Sequence, residues 1–112
     1  SAVMIHSIKK GEILDLESKP TLSDGTAGGV EKDSITFPIC KDNIDETVLV
    51  SETEIKNAMI SFIENERLLL EGAAGTAVAT LIKMKDKLKG KRVGVVICGG
   101  NVSLDVIKNI LN

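Results

Sequence analysis

A glycine turn near the carboxyl end of the chain is the first place where these residue types could do chemistry. Cys98 ends an apolar run and is followed directly by Gly99, Gly100 and Asn101. Two glycines let the backbone approach a ligand closely, and the start of the following helix favours an anion. The turn lacks the lysine of a P-loop and the third glycine of a dinucleotide fingerprint. It is therefore either a plain structural connection or a binding turn.

Two side chains, Cys98 and Glu71, could act beside this turn. A cysteine at the end of an apolar strand is commonly a small buried hydrophobe. To act as a nucleophile, Cys98 would need a nearby base. The single histidine, His6, does not supply one, because it lies near the amino end of the chain. Glu71 follows three leucines and precedes Gly-Ala-Ala-Gly. It is either a helix-start carboxylate stabilised by the macrodipole or a buried carboxylate that faces a ligand. Asp24-Gly25 is most simply a turn, and no cluster of His, Cys and carboxylates has metal-ligand spacing.

Alternating helical and strand-like patterns must position these residues. The clearest helix start is Ser51, with Glu54 three residues later, because this capping box opens an amphipathic repeat from Ile55 to Ile63. A second helix is predicted from Gly72 to Leu88, small and apolar in its first half and charged in its second. Further helices are predicted over residues 3–10, after an Asp33-Ser34 cap as far as Ile44, and after a Ser103 cap with Leu104, Ile107 and Leu111 on one face.

Residues 92–98 predict a continuous apolar strand. The run Arg-Val-Gly-Val-Val-Ile-Cys is apolar without alternation, which indicates burial on both faces, as in a parallel sheet. Shorter strands are predicted at 13–17 and 47–50, with an extended link at 68–70 and a loop over 18–33. The alternation of strands and helices predicts an α/β fold built on a parallel sheet.

Composition narrows the class of function. The chain has 112 residues, 43% hydrophobic and 27% charged, which suits one globular domain over residues 1–112. Two phenylalanines are the only aromatic residues and the net charge is −2, so we expect no nucleic-acid partner. The apolar runs are far shorter than a membrane span, so no membrane association is expected. Two distant cysteines, Cys40 and Cys98, suit a reducing compartment and predict a cytoplasmic protein.

Four short motifs carry a family resemblance. They are Thr-Leu-Ser-Asp-Gly at 21–25, Val-Leu-Val-Ser-Glu-Thr-Glu-Ile at 48–55, Glu-Gly-Ala-Ala-Gly at 71–75 and Val-Ile-Cys-Gly-Gly-Asn-Val at 96–102. In this order and spacing they resemble, from about residue 3 to residue 111, the C-terminal part of the threonine/serine dehydratases. These are pyridoxal-phosphate (PLP) enzymes of the tryptophan-synthase β type, fold type II, and the serine racemases belong with them. The resemblance implies a three-layer parallel-sheet segment from the larger, cofactor-binding domain of a longer enzyme.

The resemblance also assigns cofactor contacts to five positions. Cys98 stands where the family has Ser or Cys, which hydrogen-bonds the pyridine nitrogen of PLP. A neutral thiol is a weak donor there and leaves the nitrogen unprotonated, which suits elimination over transamination. Glu71 matches an acidic residue near the cofactor ring, Gly25 matches a loop glycine beside the cofactor, and Gly99 and Gly100 shape the turn.

The activity that the resemblance implies is dehydration and deamination of L-threonine or L-serine to a 2-oxo acid and ammonia. In the family, the Schiff-base lysine and the phosphate loop lie upstream of this segment, and neither motif occurs in these 112 residues. We therefore expect no catalytic residue in this segment and no dehydratase activity from this chain alone. The family's metal position falls on Val3, so no metal site is expected.

The sequence leaves two alternative functions open and also predicts that the chain self-associates. The chain could belong to a serine racemase or another fold type II PLP lyase, or it could be a non-enzymatic α/β module whose Gly99-Gly100 turn binds an anion or a protein partner. A segment of a larger domain should expose apolar surface and sheet edges, and these predict a homo-oligomer.

Overall fold

The regular elements of the protein are all helical. The computed structural model describes residues 2–112, and within them no β-strand forms. The chain makes a slab of 39 × 37 × 19 Å, about two helix diameters thick. Its helices are α1 (Val3–Lys10), α2 (Thr36–Asn43), α3 (Glu52–Glu66), α4 (Gly72–Lys83), α5 (Lys85–Leu88) and α6 (Leu104–Leu111), and a 3₁₀ turn covers Asp24–Thr26.

Helix α3 begins at the predicted capping box, which the structure confirms. The Glu54 backbone N–H donates to Ser51 Oγ at 3.2 Å, and the Ser51 N–H donates to Glu54 Oε2 at 2.7 Å. Lys83 of α4 lies 3.1 Å from the same carboxylate. The hydrogen bond from the Ser51 backbone and the one from Lys83 hold the pKa of Glu54 below its usual range. The cap thus joins α3 to α4 as well as closing the helix.

The core lies where α3, α4 and α6 meet. It is built from Ile55, Met59, Leu70, Ala74 and Ile110, all of them buried. This confirms the predicted apolar face at the start of α3. Helix α4 approaches α3 closely because Gly75 has no side chain, since a Cβ at that position would lie 2.8 Å from Met59 Cγ.

The ends of three further helices were predicted, and one of the three predictions is confirmed. Helix α1 ends at Gly11 with φ +83°, as predicted. The predicted Asp33-Ser34 cap is wrong: α2 begins at Thr36, whose Oγ1 pairs with Ser34 Oγ at 2.8 Å, so the hydroxyl does not bind a helical N–H. The helix predicted from Gly72 to Leu88 is interrupted at Met84, which separates α4 from α5.

Helix α6 has the predicted cap and a different buried face. Ser103 Oγ accepts from the Val106 N–H at 3.3 Å, which confirms the cap. The face predicted from Leu104, Ile107 and Leu111 is only partly packed, because Leu104 and Leu111 are 73% and 61% exposed and Ile107 is half-buried, whereas Ile110 is fully buried. Val106 and Ile110 pack on the core formed by α3 and α4, and this contact sets the rotation of α6.

The predicted parallel sheet is not confirmed by residues 2–112. The segments 13–17, 47–50 and 92–98 carry no ladder hydrogen bonds and are irregular. The predicted burial of 92–98 is wrong for this chain, since Val96 is 78% and Ile97 42% exposed. The physical reason is that α3, α4 and α6 pack on one another and leave this segment uncovered. The 47–50 segment is held by Val50, which packs against the core, and by Lys83 Nζ, which donates to the Leu49 carbonyl at 2.8 Å.

Candidate functional site

The start of α4 brings Glu71 and the glycine turn together. Glu71 is the residue immediately before α4, and its side chain is half-buried. Its N–H donates to the Gly99 carbonyl at 3.2 Å, and its Oε2 accepts from the Asn101 N–H at 3.2 Å. The backbone and the carboxylate of one residue therefore hold the turn at both ends. Asn101 was not predicted from the sequence as a partner of Glu71, because its contribution is a backbone N–H that any residue type would supply.

The two glycines of this turn are required by close contacts. A Cβ on Gly99 would lie 2.9 Å from Glu71 Oε1 and closer still to Oε2. A Cβ on Gly100 would lie 2.8 Å from the Leu69 carbonyl oxygen. At position 100 only glycine lets the turn lie against the backbone that leads into α4, whereas a side chain at position 99 would displace the Glu71 carboxylate. The structural role and the predicted binding role of Gly99 and Gly100 are thus compatible.

The loop that carries Gly25 packs against the same end of α4 from another side. Gly72 makes this possible, since a Cβ there would lie 2.8 Å from the Ser23 nitrogen and closer still to the Leu22 carbonyl oxygen. Gly25 itself has more room, because its Cβ would lie 3.8 Å from Ala73 Cβ. The contacts within residues 2–112 therefore explain the glycine at 72 and leave the glycine at 25 free to serve a ligand.

Cys98 lies on the surface beside this cluster. Its thiol is free and exposed, whereas Cys40 on α2 is free and half-buried. The alternative of a buried hydrophobic cysteine is therefore wrong for position 98. An exposed thiol next to a Gly-Gly turn is accessible to a ligand, and a thiol can donate a weak hydrogen bond.

Two cavities adjoin the start of α4. Glu71 and Asn101 line the smaller one, of about 260 Å³, together with Asp24 and Ser103. Gly25 lines the larger one, of about 440 Å³, together with Glu52 and Thr76. The structure thus groups Glu71, Gly99 and Gly100, with Cys98 next along the chain. Gly25 lies on the loop that packs against the start of α4 from another side, and it lines a different cavity from Glu71.

The chemistry of these residues suits contact with a heteroaromatic ring. The exposed Cys98 thiol can donate to a ring nitrogen, Glu71 supplies a carboxylate, and Gly99 and Gly100 leave the backbone without side chains. No lysine is among the residues that line the two cavities, and the lysines of the described chain are exposed apart from half-buried Lys56. These residues could hold the pyridine side of a cofactor such as PLP.

Other kinds of site find no support in the described part of the chain. Residues 2–112 contain no group of three His, Cys or carboxylate side chains arranged for a metal ion. Over the same range, every helix is too short or too polar to cross a bilayer.

Comparison with known proteins shows what this chain is similar to. A family described as pyridoxal-phosphate dependent enzyme matches residues 1–99. The L-threonine ammonia-lyase of Thermotoga maritima is 39% identical over 109 residues, which are 97% of this chain and 27% of that protein. The serine racemase of Dictyostelium discoideum is 43% identical over 111 residues, 96% of this chain and 34% of that protein.

A solved structure of one of these relatives also matches the fold of this chain. A crystal structure of serine racemase from Dictyostelium discoideum matches with a TM-score of 0.78 and 39% identity, over 91% of this chain and 32% of that chain. The chain therefore spans about a third or less of the length of these relatives.

Proposed function

Because this chain belongs to the family of pyridoxal-phosphate dependent enzymes, we propose that it forms part of an ammonia-lyase. The substrate class is a hydroxy-amino acid, L-threonine or L-serine, which the enzyme dehydrates and deaminates to a 2-oxo acid and ammonia. The similarity to the L-threonine ammonia-lyase of Thermotoga maritima supports this activity. The cofactor of the family is PLP, which when bound supplies an electron sink for chemistry at the α-carbon of an amino acid.

The observation that carries the proposal is the contact between Glu71 and the 99–101 turn. Two hydrogen bonds and the close approach of Gly99 hold the turn in place, and Cys98 is the residue directly before it. We assign the Cys98 thiol to the pyridine nitrogen of PLP, Glu71 to the side of the ring, and Gly25 to a close approach from the 22–26 loop. The lysine that binds PLP and the phosphate loop are assigned to residues outside 1–112.

The proposal also accounts for the irregular segments 47–50 and 92–98. We propose that 92–98 and 47–50 are strands of a parallel sheet in the larger domain of a fold type II enzyme, completed by strands from the rest of a longer protein. Their exposed apolar side chains, such as Val96 and Leu49, and their lack of ladder partners support this. Apolar side chains that are exposed outside these segments, such as Ile35 and Leu68, support a homo-oligomer. The two free thiols suit the cytoplasm.

The full-length protein encoded by the gene that carries this chain tests the proposal. We expect it to bind PLP, seen by absorbance, and to release 2-oxo acid from L-threonine or L-serine. Cys98→Ala should lower kcat by roughly tenfold, since a hydrogen bond to the cofactor is lost, whereas Cys98→Ser should keep most of the activity. Cys40→Ala is the matched control and should leave kcat unchanged. A Cys98→Ala variant as active as the unmodified protein would overturn the assignment.

Racemisation is the second candidate activity. It is favoured by the 43% identity to the serine racemase of Dictyostelium discoideum. Chiral separation of products from L-serine distinguishes the two, because D-serine indicates a racemase and pyruvate an ammonia-lyase. A full-length protein that binds no PLP would instead favour the α/β module that binds an anion or a protein partner.

The 112 residues alone should release no ammonia from L-threonine. The reason is that the proposed contacts hold one side of the cofactor without a lysine to bond it. Measurable ammonia release by residues 1–112, free of contaminating enzyme, would contradict the assignment of the lysine to another part of the protein.

A further inference from the structure

Two carboxylates lie in the first turn of α3, and only one of them caps the helix. Glu54 forms the capping box with Ser51. Glu52 reaches away from its own helix to the 18–33 loop: its Oε1 accepts from Thr21 Oγ1 at 2.6 Å and its Oε2 accepts from the Leu22 N–H at 2.8 Å. Both oxygens of Glu52 are therefore bound by two consecutive residues of that loop.

The bonds from Glu52 hold the loop on the N–H side of Leu22, and the start of α4 lies against the carbonyl side of the same residue. The Leu22 N–H faces Glu52, while the Leu22 carbonyl lies directly against the space left by Gly72. The Thr21 hydroxyl, which donates to Glu52, also accepts from the Ser23 N–H at 3.0 Å. The loop is thus held between the starts of α3 and α4, and the Asp24–Thr26 turn follows within two residues.

The charge of Glu52 strengthens this contact. A carboxylate in the first turn of a helix is stabilised by the macrodipole, and hydrogen bonds to an ionised acceptor are stronger than neutral ones. Glu52 and Gly25 also line the same cavity of about 440 Å³. Glu52 therefore lies beside the site it helps to shape.

We propose that Glu52 is a positioning residue, which holds the loop at Thr21 and Leu22 and thereby places Gly25 beside the cofactor. The proposal rests on the proposed function, because that function assigns Gly25 to PLP. Glu52 acts through the loop and has no assigned contact with substrate or cofactor. The motif Ser-Glu-Thr-Glu at 51–54 then has two functions, one for each glutamate.

Hydrogen exchange of the full-length protein without cofactor tests the contact itself. Glu52→Ala should speed exchange over residues 21–27 by roughly tenfold, since a charge-assisted hydrogen bond to Leu22 is lost. Glu54→Ala is the matched control: it should speed exchange at the start of α3 and leave 21–27 unchanged. Unchanged exchange over 21–27 in Glu52→Ala, or an equal change in both variants, would overturn the proposal.

Titration of the same proteins with PLP, followed by absorbance, tests the consequence. Glu52→Ala should raise the Kd for PLP by roughly three- to tenfold, on the scale of one lost hydrogen bond, while Glu54→Ala leaves it unchanged. Glu52→Gln should restore most of the affinity, because an amide can accept from the Leu22 N–H and donate to Thr21 Oγ1.

The outcomes distinguish the positioning role of Glu52 from the proposed function on which it rests. Faster exchange over 21–27 with an unchanged Kd would overturn the positioning of Gly25 and leave the proposed function intact. An unmodified full-length protein that binds no PLP would defeat the proposed function, and the positioning proposal with it.

Discussion

At the scale of single residues, the glycines at 72 and 99 meet very different neighbours. The missing side chain of Gly72 leaves room for the Leu22 carbonyl and the Ser23 nitrogen, which are backbone atoms held by other bonds. The missing side chain of Gly99 leaves room for the Glu71 carboxylate, which can rotate. A side chain at position 72 would therefore have to move the loop, whereas one at position 99 would have to move the Glu71 carboxylate.

The first prediction concerns Gly72. Gly72→Ala should destabilise the protein by about 1–3 kcal/mol, the usual range for overpacking, even though alanine favours a helix by about 1 kcal/mol over glycine. Urea unfolding followed by circular dichroism measures the change. Gly28→Ala is the control, because nothing lies within 4 Å of its Cβ position. Equal stability of the two variants would show that the loop does not press on α4.

At the scale of elements, the caps of α3 and α6 are local and could be predicted from the sequence. Ser51 and Ser103 each bind an N–H three residues away, so the chemistry of a four-residue segment decides the outcome. The buried face of α6 and the exposure of 92–98 could not be predicted in this way. Both depend on which surfaces meet, and in α6 the contact of Val106 and Ile110 with the core overrides the pattern of apolar residues.

The candidate site was predicted to a similar extent. The family motifs named Glu71 and the 99–100 glycines, which the structure brings into contact. The role of Glu52 was not predicted, because its partners at Thr21 and Leu22 lie some thirty residues earlier in the chain. An acidic residue next to a complete capping box is the signal that could have drawn attention to it.

The second prediction concerns the cap of α3. Ser51→Ala should lower the free energy of unfolding by about 1 kcal/mol, because the Glu54 N–H loses its acceptor. Thr53→Ala, an exposed change in the same turn, should alter the free energy by no more than about 0.5 kcal/mol. Thermal and urea unfolding give both values. A cap variant as stable as the Thr53 variant would contradict the capping box.

The third prediction is a pH dependence carried by Glu54. The Ser51 N–H and then Lys83 lower its pKa from about 4.5 in the folded state. A lowered folded pKa means that the ionised group adds stability above the unfolded pKa, and that this stability is lost as the pH falls through the folded pKa. Glu54→Gln should therefore flatten the loss of stability below about pH 4.5 relative to the unmodified protein. A Glu54→Gln variant with the same pH profile as the unmodified protein would refute this.

At the scale of the whole molecule, the accessible surface area is larger than that of a compact monomer of the same mass. The described chain exposes 7938 Å² at 11.9 kDa, whereas a compact monomer of this mass exposes about 5,900 Å². The difference, roughly 2,000 Å², is more than twice the about 800 Å² that each partner contributes to a standard protein interface. The exposed apolar side chains include Val93, Val96 and Leu49 on the segments proposed as strands. Such a surface either belongs to the interior of a larger domain or drives association.

The last prediction uses Val96, which is 78% exposed, to decide between those two origins of the surface. In the full-length protein, Val96→Lys should cost at least about 2 kcal/mol, since a buried and unpaired charge is unfavourable. In the 112-residue chain it should cost no more than about 0.5 kcal/mol and should reduce the concentration-dependent self-association seen by light scattering.

Leu104→Lys provides the comparison, because Leu104 is 73% exposed on α6 and lies outside the proposed strands. It should be tolerated in both proteins. If Val96→Lys were tolerated as well in the full-length protein, the 92–98 segment would be a true surface, and the parallel sheet would have to be built without it. If instead only the longer protein is sensitive, the segment is an interior strand, and Cys98 is carried to the carboxyl edge of a sheet, where α/β folds bind their ligands.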